Sequence, residues 1–178
     1  GEANKGTDPG DFSTINPIQR YENNAAGGEM GSKYNVCYEG IARANNVLRL
    51  LKNPGPDVTP ADITRLTAQA RFLRAHFYFE LYRDYNRTPY VDENVDYGSG
   101  LEKVKNDKDL LPFVVADLDF AVKNLPATQA QVGRVNSWAA KAYLAKVYMY
   151  QKDFTKAKAM FDDVIANGVT SNGKKYGL

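Results

Sequence analysis

One stretch of this chain decides its fold: residues 66–81 have the sequence LTAQARFLRAHFYFEL. Apolar and aromatic side chains make up most of it, so we expect a helix that is packed on more than one side. Arg71 and Arg74 lie on adjacent turns in its middle. Because buried charges need partners, we expect both arginines to pair with Asp or Glu from neighbouring helices. A clamp for an anionic ligand is the alternative.

The residues around this stretch predict where the helix begins and ends. Thr59 can act as the N-cap, Pro60 takes the first helical position, and Asp62 follows the cap by three residues. We expect the helix to end near Tyr85, before the polar residues 86–89. The inward stripe is predicted to contain Ile63, Leu66, Ala70, Leu73, Phe77 and Leu81, widened by Phe72 and Phe79.

Apolar periodicity predicts four more helices, at about 32–52, 109–124, 136–151 and from Asp153, as N-cap, to Gly168. Pro112 is placed in a first turn, because a proline deep inside a helix costs about 3 kcal/mol. In the last helix the inward residues are predicted to be Phe154, Ala157, Met160, Phe161, Val164 and Ile165. A turn of about two residues forces the last two helices to lie antiparallel.

These elements predict an all-α fold with about five main helices. The last two resemble a tetratricopeptide helix pair, and we expect tetratricopeptide-like antiparallel pairs joined by long loops. Residues 1–31 are rich in Gly, Asn, Asp and Pro, so they are predicted to form an extended N-terminal loop. Residues 32–178 are then the helical domain.

Composition and charge exclude several classes of protein. The 23 basic and 21 acidic residues are scattered, which argues against the basic face of a nucleic-acid-binding protein. Cys37 is the only cysteine, so the chain has no intramolecular disulfide and no cysteine metal site. We expect Cys37 to be a small buried apolar residue. No run of 18 apolar residues predicts a membrane span.

Motifs for catalysis or metal binding are missing from the sequence. His76 is the only histidine, and its place among aromatic residues favours a hydrogen-bonded core histidine. No His-x-x-x-His spacing and no glycine-rich phosphate loop occurs. Neighbouring carboxylates are interpreted as solvated charge: Asp117 with Asp119, Asp162 with Asp163, and Glu93 with Asp96. We therefore predict no enzymatic activity, no metal and no cofactor.

Several segments occur in the order found in a known family. Residues 38–48 are YEGIARANNVL, residues 70–79 are ARFLRAHFYF, and residues 139–145 are AAKAYLA. Over about residues 34–178 the chain resembles the SusD/RagB family of nutrient-binding outer-membrane lipoproteins. Gln69 stands where that family usually has Glu, and residues 86–90 lack its usual glycine. Family members continue well past Leu178, so we expect this chain to be the N-terminal helical part of a longer protein.

The resemblance implies a non-catalytic protein on the outer-membrane surface of a Bacteroidetes-type bacterium. Such a protein captures oligosaccharide and passes it to a SusC-like TonB-dependent transporter. It is held at the membrane by an N-terminal lipid that is not present in this chain. A peptide-binding RagB-like member is one alternative, and a tetratricopeptide-like protein–protein adaptor is another.

The best ligand-binding candidates in this chain lie before the first predicted helix. They are Tyr21, Asn23 and Asn24. An aromatic ring beside amide groups suits the CH faces and the hydroxyls of sugars. An ordinary Asn-rich loop is the alternative.

Overall fold

The computed structural model describes residues 8, 10–24, 28–95, 98 and 103–176. The helices are a 3-10 turn (Ser13–Ile15), α1 (Asn16–Gln19), α2 (Gly28–Leu50), α3 (Pro60–Tyr85), α4 (Leu111–Asn124), α5 (Ser137–Tyr150) and α6 (Phe154–Asn167). The same residues contain no β-strand, only an antiparallel bridge between Val169 and Lys175. The all-α prediction is confirmed.

The chain forms two compact units, residues 1–39 and 40–178. The segment predicted to be an extended loop contains the 3-10 turn and α1, and α2 begins at Gly28 rather than at residue 32. Glu29 explains part of the early start, because an acidic side chain in the first turn stabilises the positive end of the helix dipole. The domain boundary predicted at residue 31 stays a prediction.

Helix α3 has the bounds that its end signals predict. The Thr59 hydroxyl accepts a hydrogen bond from the Asp62 amide at 3.1 Å, which satisfies a donor in the first turn. At the other end Asn86 has φ +63°, a conformation that Asn adopts more readily than most residues. Local chemistry therefore sets both ends of this helix.

The rotation of α3 differs from the predicted apolar stripe. Leu73, expected to face inward, is 48% exposed, whereas Arg74 is only 4% exposed. Tyr78, four residues after Arg74, is buried, and so are Ala70, Phe79 and Leu81 of the predicted face. The prediction was wrong for Leu73 because it assigned the inward face by apolarity alone. A guanidinium that is paired with carboxylates and hydrogen-bonded can be buried, and Arg74 is such a group.

Helices α3 to α6 pack in chain order, each on the next. Asn136 and Asp153 cap α5 and α6, with side-chain oxygens that accept from the Ala139 amide at 2.9 Å and the Lys156 amide at 3.1 Å. Lys152, at φ +61°, makes the tight turn between them, so the two helices run antiparallel. One part of the core contains three alanines that permit close packing, beside Leu125: Ala68, Ala121 and Ala140.

Helix α6 buries fewer residues than predicted. Ala157 and Val164 are buried, but Phe154 is 58% exposed and Ile165 is 78% exposed. The prediction for these two residues was wrong, because α6 packs on α5 with one face and apolar residues on its other side stay uncovered.

Within the described parts of the chain, no helix has both the length and the apolar character needed to cross a membrane.

Candidate functional site

The three predicted ligand-binding residues lie on the surface, directly after α1. Tyr21 is 92% exposed, and Asn23 and Asn24 are exposed too. The chain turns here through hydrogen bonds from the Tyr21 amide to the Ile18 carbonyl at 3.1 Å and from the Glu22 amide to the Pro17 carbonyl at 2.8 Å. The structure thus brings the tyrosine ring and the two amide groups onto one short exposed stretch. Their role in binding stays a prediction.

A second aromatic residue of this region, Phe12, was not singled out by the sequence. It is 56% exposed, and its φ of +35° is left-handed, like the φ of +59° at Tyr21. A non-glycine residue held in this region costs on the order of 1–3 kcal/mol, and such residues are concentrated at binding sites. A turn precedes Phe12, in which the Gly10 amide donates to Asp8 Oδ1 at 2.7 Å.

Residues 10–24, which we call the aromatic segment, include a residue that is hydrogen-bonded to α2. The Thr14 hydroxyl donates to Glu29 Oε1 at 2.7 Å. Tyr21 is flanked by an exposed ion pair, with Arg20 Nη1 3.9 Å from Glu22 Oε2. An exposed pair of this length contributes little stability. The segment therefore presents two rings and two amides on a lightly anchored surface.

The polar residues of α3 form a different kind of site, the buried charge cluster: Asn45, Arg71, Arg74, Glu93 and Asp117. Arg74 donates from Nε to Asp117 Oδ2 at 2.7 Å and from Nη2 to Asp117 Oδ1 at 2.9 Å. Its Nη1 donates to Asn45 Oδ1 at 2.9 Å and to Glu93 Oε2 at 2.5 Å. Four hydrogen bonds to protein acceptors thus use all three nitrogens of the guanidinium.

Arg71 shares the same carboxylate. Its Nε donates to Asp117 Oδ1 at 2.6 Å, and its guanidinium carbon lies 4.3 Å from the centre of the Phe120 ring. The expectation that both arginines pair with an acid from a neighbouring helix is confirmed. It follows that Gln69, which stands where the family has Glu, is not needed as their partner.

Burial and pairing act in opposite directions on the charges of the cluster. Burial lowers the pKa of Arg74, but the hydrogen bonds and the charge of Asp117 outweigh it, and the pKa is raised above its usual value. Burial raises the pKa of Glu93, but the hydrogen bond from Arg74, a backbone hydrogen bond and the charges of Arg74 and Lys52 together outweigh it, and the pKa is lowered. Both groups are therefore held in their charged forms.

The cluster also fixes the connection that follows α3. The Asn45 Nδ2 donates to the Val91 carbonyl at 3.0 Å, and the Tyr78 hydroxyl donates to the same carbonyl at 2.7 Å. The Tyr90 ring stacks on Phe113, with centroids 3.9 Å apart, and burial raises the pKa of Tyr90 to about 12. These contacts stabilise the fold, because buried side chains of α2, α3 and α4 fix the position of Tyr90 and Val91.

The remaining candidate groups have structural partners as well. His76 Nδ1 lies 2.9 Å from the Tyr143 hydroxyl, which agrees with a hydrogen-bonded core histidine. Cys37 is 3% exposed, as expected of a small buried apolar residue. No group of three or more His, Cys, Asp or Glu in the described ranges is placed to hold a metal ion.

The neighbouring carboxylates are each paired with a cation. Asp119 lies 2.6 Å from Lys123 Nζ, Asp162 lies 2.5 Å from Lys158 Nζ, and Asp163 pairs with Lys141. The interpretation as solvated charge was wrong for Asp117, which is 3% exposed, and for Glu93, which is half-buried. Both escaped prediction because their cationic partner is remote in sequence. Asp96 lies outside the described residues.

Helices α3 to α6 each pack on the next, and the buried charge cluster lies between α2, α3 and α4. Such packing of successive helices is typical of an all-α helical-repeat protein. A family model described as starch-binding and associating with the outer membrane matches residues 8–149. The chain therefore belongs to the SusD-like proteins of the SusD/RagB family. Sequence and structure agree on this assignment.

Individual relatives support the same family. A SusD-like protein of Bacteroides ovatus is 34% identical over 116 residues, which are 63% of this chain and 21% of that protein. A laminarin-binding SusD-like protein has a similar structure, with a TM-score of 0.79 and 30% identity over 90% of this chain and 35% of the other. A crystal structure with xylogluco-oligosaccharide gives 0.72 and 26%, covering 85% of this chain and 32% of the other. The chain spans about a fifth of the curated relative and a third of the solved ones.

Proposed function

We propose that this chain is part of a cell-surface protein that captures oligosaccharide and passes it to a partner TonB-dependent outer-membrane transporter, without catalysing a reaction. The observation that carries the proposal is the family match over residues 8–149. The solved relatives add chemical support, since one is named for laminarin and another is a structure with xylogluco-oligosaccharide. Attachment to the membrane is proposed to use an N-terminal lipid outside this chain.

The aromatic segment is the proposed glycan contact within the chain. A sugar ring can lay its CH face on Tyr21, whose side chain is 92% exposed. Asn23 and Asn24 each carry an amide that can donate to and accept from sugar hydroxyls. Phe12 adds a second exposed ring. The left-handed backbone at both aromatics favours a preformed contact, which reduces the entropy lost on binding.

Calorimetry on the full-length protein tests this proposal. The ligands are oligosaccharides from laminarin, xyloglucan and starch, and binding of at least one is expected. The Tyr21→Ala variant should weaken that binding about tenfold, which corresponds to about 1.4 kcal/mol. The control is Tyr150→Ala, because Tyr150 is another exposed tyrosine, 43% accessible, at the end of α5. Binding of peptides without any glycan response would reject glycan capture.

Transfer to a transporter requires a separate experiment. Affinity purification of the full-length protein from its native outer membrane should recover a TonB-dependent transporter. Deleting the gene for that transporter should abolish uptake of the bound glycan but leave surface capture unchanged. Chromatography of the glycan after prolonged incubation with the protein should show no cleavage. A shortened glycan would contradict the non-catalytic function.

A further inference from the structure

A groove in the second unit is lined by residues that do not belong to the buried charge cluster. It has a volume of about 480 Å³, within the range of small-molecule sites. Its walls come from α3, from the connection between α4 and α5, from α5 and from the turn after α6. The lining residues are Gln69, Phe72, Leu73, Gly133, Arg134, Val135, Ala139 and Ser171.

Arg134 gives this groove a positive charge without a counter-ion. Its Nε donates to Gln131 Oε1 at 2.5 Å, and its Nη1 lies 3.4 Å from Gln69 Oε1. Both acceptors are neutral amides. Among the described residues no carboxylate lies within ion-pair distance of Arg134. Several other cations of the described chain have an acidic partner three or four residues away. The guanidinium fork is therefore available to an acidic ligand.

Gln69 adds a donor that lacks an acceptor. Its Nε2 is buried and has no hydrogen-bond partner in the part of the chain that the structure describes. The amide is assigned with its oxygen toward Arg134, 3.4 Å from Nη1, which places the NH₂ group on the buried side. The Ser171 hydroxyl is already used, since it donates to the Arg134 carbonyl at 2.6 Å. A ligand for this groove must supply acceptors.

The rest of the groove is apolar. Phe72 is half-buried, Leu73 is 48% exposed, and Val135 and Ala139 complete the wall. This surface suits the CH face of a sugar ring. A peptide terminus offers the same carboxylate but not the ring CH face that this apolar wall can contact.

We propose that this groove binds a uronic acid, with its carboxylate on Arg134 and Gln69 and its ring against Phe72 and Leu73. An arginine fork and a carboxylate make two parallel hydrogen bonds. Rotation of the Gln69 side chain gives up a long contact with Arg134 and provides Nε2 with an acceptor from the ligand. The proposal does not rest on glycan capture by the aromatic segment.

The test is an NMR titration of the ¹⁵N-labelled chain with sodium glucuronate and, in parallel, with glucose. Glucuronate should shift the amide signals of Gly133, Arg134 and Ser171, and glucose should require at least tenfold higher concentration for the same shifts. Equal responses to the two sugars, or shifts confined to other residues, would overturn the proposal. A third probe, N-acetylalanine, that bound more tightly than glucuronate would overturn it in favour of a peptide terminus.

Variants separate the groove from the rest of the protein. Arg134→Ala should abolish the glucuronate shifts, and Arg134→Lys should retain only part of the affinity because the fork is lost. Arg65→Ala is the matched control, since Arg65 lies on α3 and pairs with Asp62 at 2.7 Å. Tyr21→Ala should also leave the titration unchanged. Thermal melts of the variants should match the parent, because Arg134 is exposed. A glucuronate response that survives Arg134→Ala contradicts the assigned site.

Discussion

The buried charge cluster and the aromatic segment differ in what surrounds their side chains. Arg74 and Asp117 are 4% and 3% exposed, and protein groups satisfy their hydrogen bonds. None of residues 10–24 is buried, and two aromatic rings stand in solvent on left-handed backbone. The most family-like sequence, residues 70–79, thus serves the fold, whereas the proposed ligand contacts lie where little packing holds them.

The two regions should therefore respond in opposite ways to substitution. Removing one partner of a buried ion pair leaves an uncompensated charge, whereas removing an exposed side chain changes the free energy of unfolding very little. Substitutions in the cluster should affect stability, and substitutions in the aromatic segment should affect binding.

The largest effect is expected from Asp117→Ala. This substitution leaves Arg74 buried and removes the shared acceptor of Arg71, so the free energy of unfolding should fall by about 3–5 kcal/mol. Urea denaturation followed by circular dichroism measures the change. Asp119→Ala is the control, because Asp119 is an exposed neighbour paired only with Lys123 in the described structure, and its loss should cost at most about 0.5 kcal/mol. Similar losses of unfolding free energy in the two variants would show that the buried carboxylate contributes no more stability than an exposed one.

A smaller loss is expected from Gly40→Ala. A Cβ atom at this position would lie 2.2 Å from the Phe77 ring, so the ring or the helix must shift, at a cost of about 1–3 kcal/mol. Gly31→Ala in the same helix has nothing within 4 Å of the new methyl group. It should stabilise the protein by up to about 1 kcal/mol. Urea denaturation measures the change in the free energy of unfolding. Changes of opposite sign in the two variants support the close approach of Gly40 to Phe77, and changes of the same sign argue against it.

Glu93 tests the cluster through pH. Its pKa is lowered in the folded protein, mainly by the hydrogen bond from Arg74 against the opposing effect of burial. The ionised form therefore contributes stability above the ordinary value of 4.5, and this contribution is lost as the pH falls through the lowered pKa.

Glu93→Gln should lose about 1 kcal/mol at pH 7 and show a shallower decline in stability below pH 4.5. Urea denaturation at a series of pH values from 7 downward measures both effects. An unchanged acid slope in Glu93→Gln would mean that other carboxylates control the decline.

The smallest effect is expected in the aromatic segment. At Tyr21, with φ +59°, glycine should be preferred over alanine by about 0.5–1 kcal/mol, the reverse of the order in a helix. Comparing the thermal unfolding of Tyr21→Gly and Tyr21→Ala measures this difference. Both variants should bind glycan about tenfold more weakly than the parent. If alanine proved the more stable substitution, the left-handed turn would not be a feature of the folded protein in solution.

Particular residues show how far sequence carries. Thr59, Asn136 and Asp153 were each predicted or placed as helix starts, and each makes its capping hydrogen bond. Phe154, Ile165 and Leu73 were assigned inward from apolarity and are exposed. A capping hydrogen bond joins groups three residues apart, so it can be predicted locally. The burial of a side chain depends on which distant helix packs against it.

The candidate site shows the same division. Tyr21, Asn23 and Asn24 could be chosen from composition, and the structure places all three on the surface. Phe12 and Arg134 carried no sequence signal, because exposure beside a strained turn and a charge without a counter-ion are properties of the folded chain.

The sequence by itself determined the main helices and the caps of α3, α5 and α6, because periodicity and capping act within one or two turns, and its ordered motifs indicated the family. Only the tertiary structure decided that Arg74 belongs inside and Leu73 outside. Arg74 can be buried because the carboxylate of Asp117, 43 residues away in the chain, offsets the free energy lost when the guanidinium leaves water. The tertiary structure also leaves the rings of Phe12 and Tyr21 in solvent, since no helix covers them among the described residues.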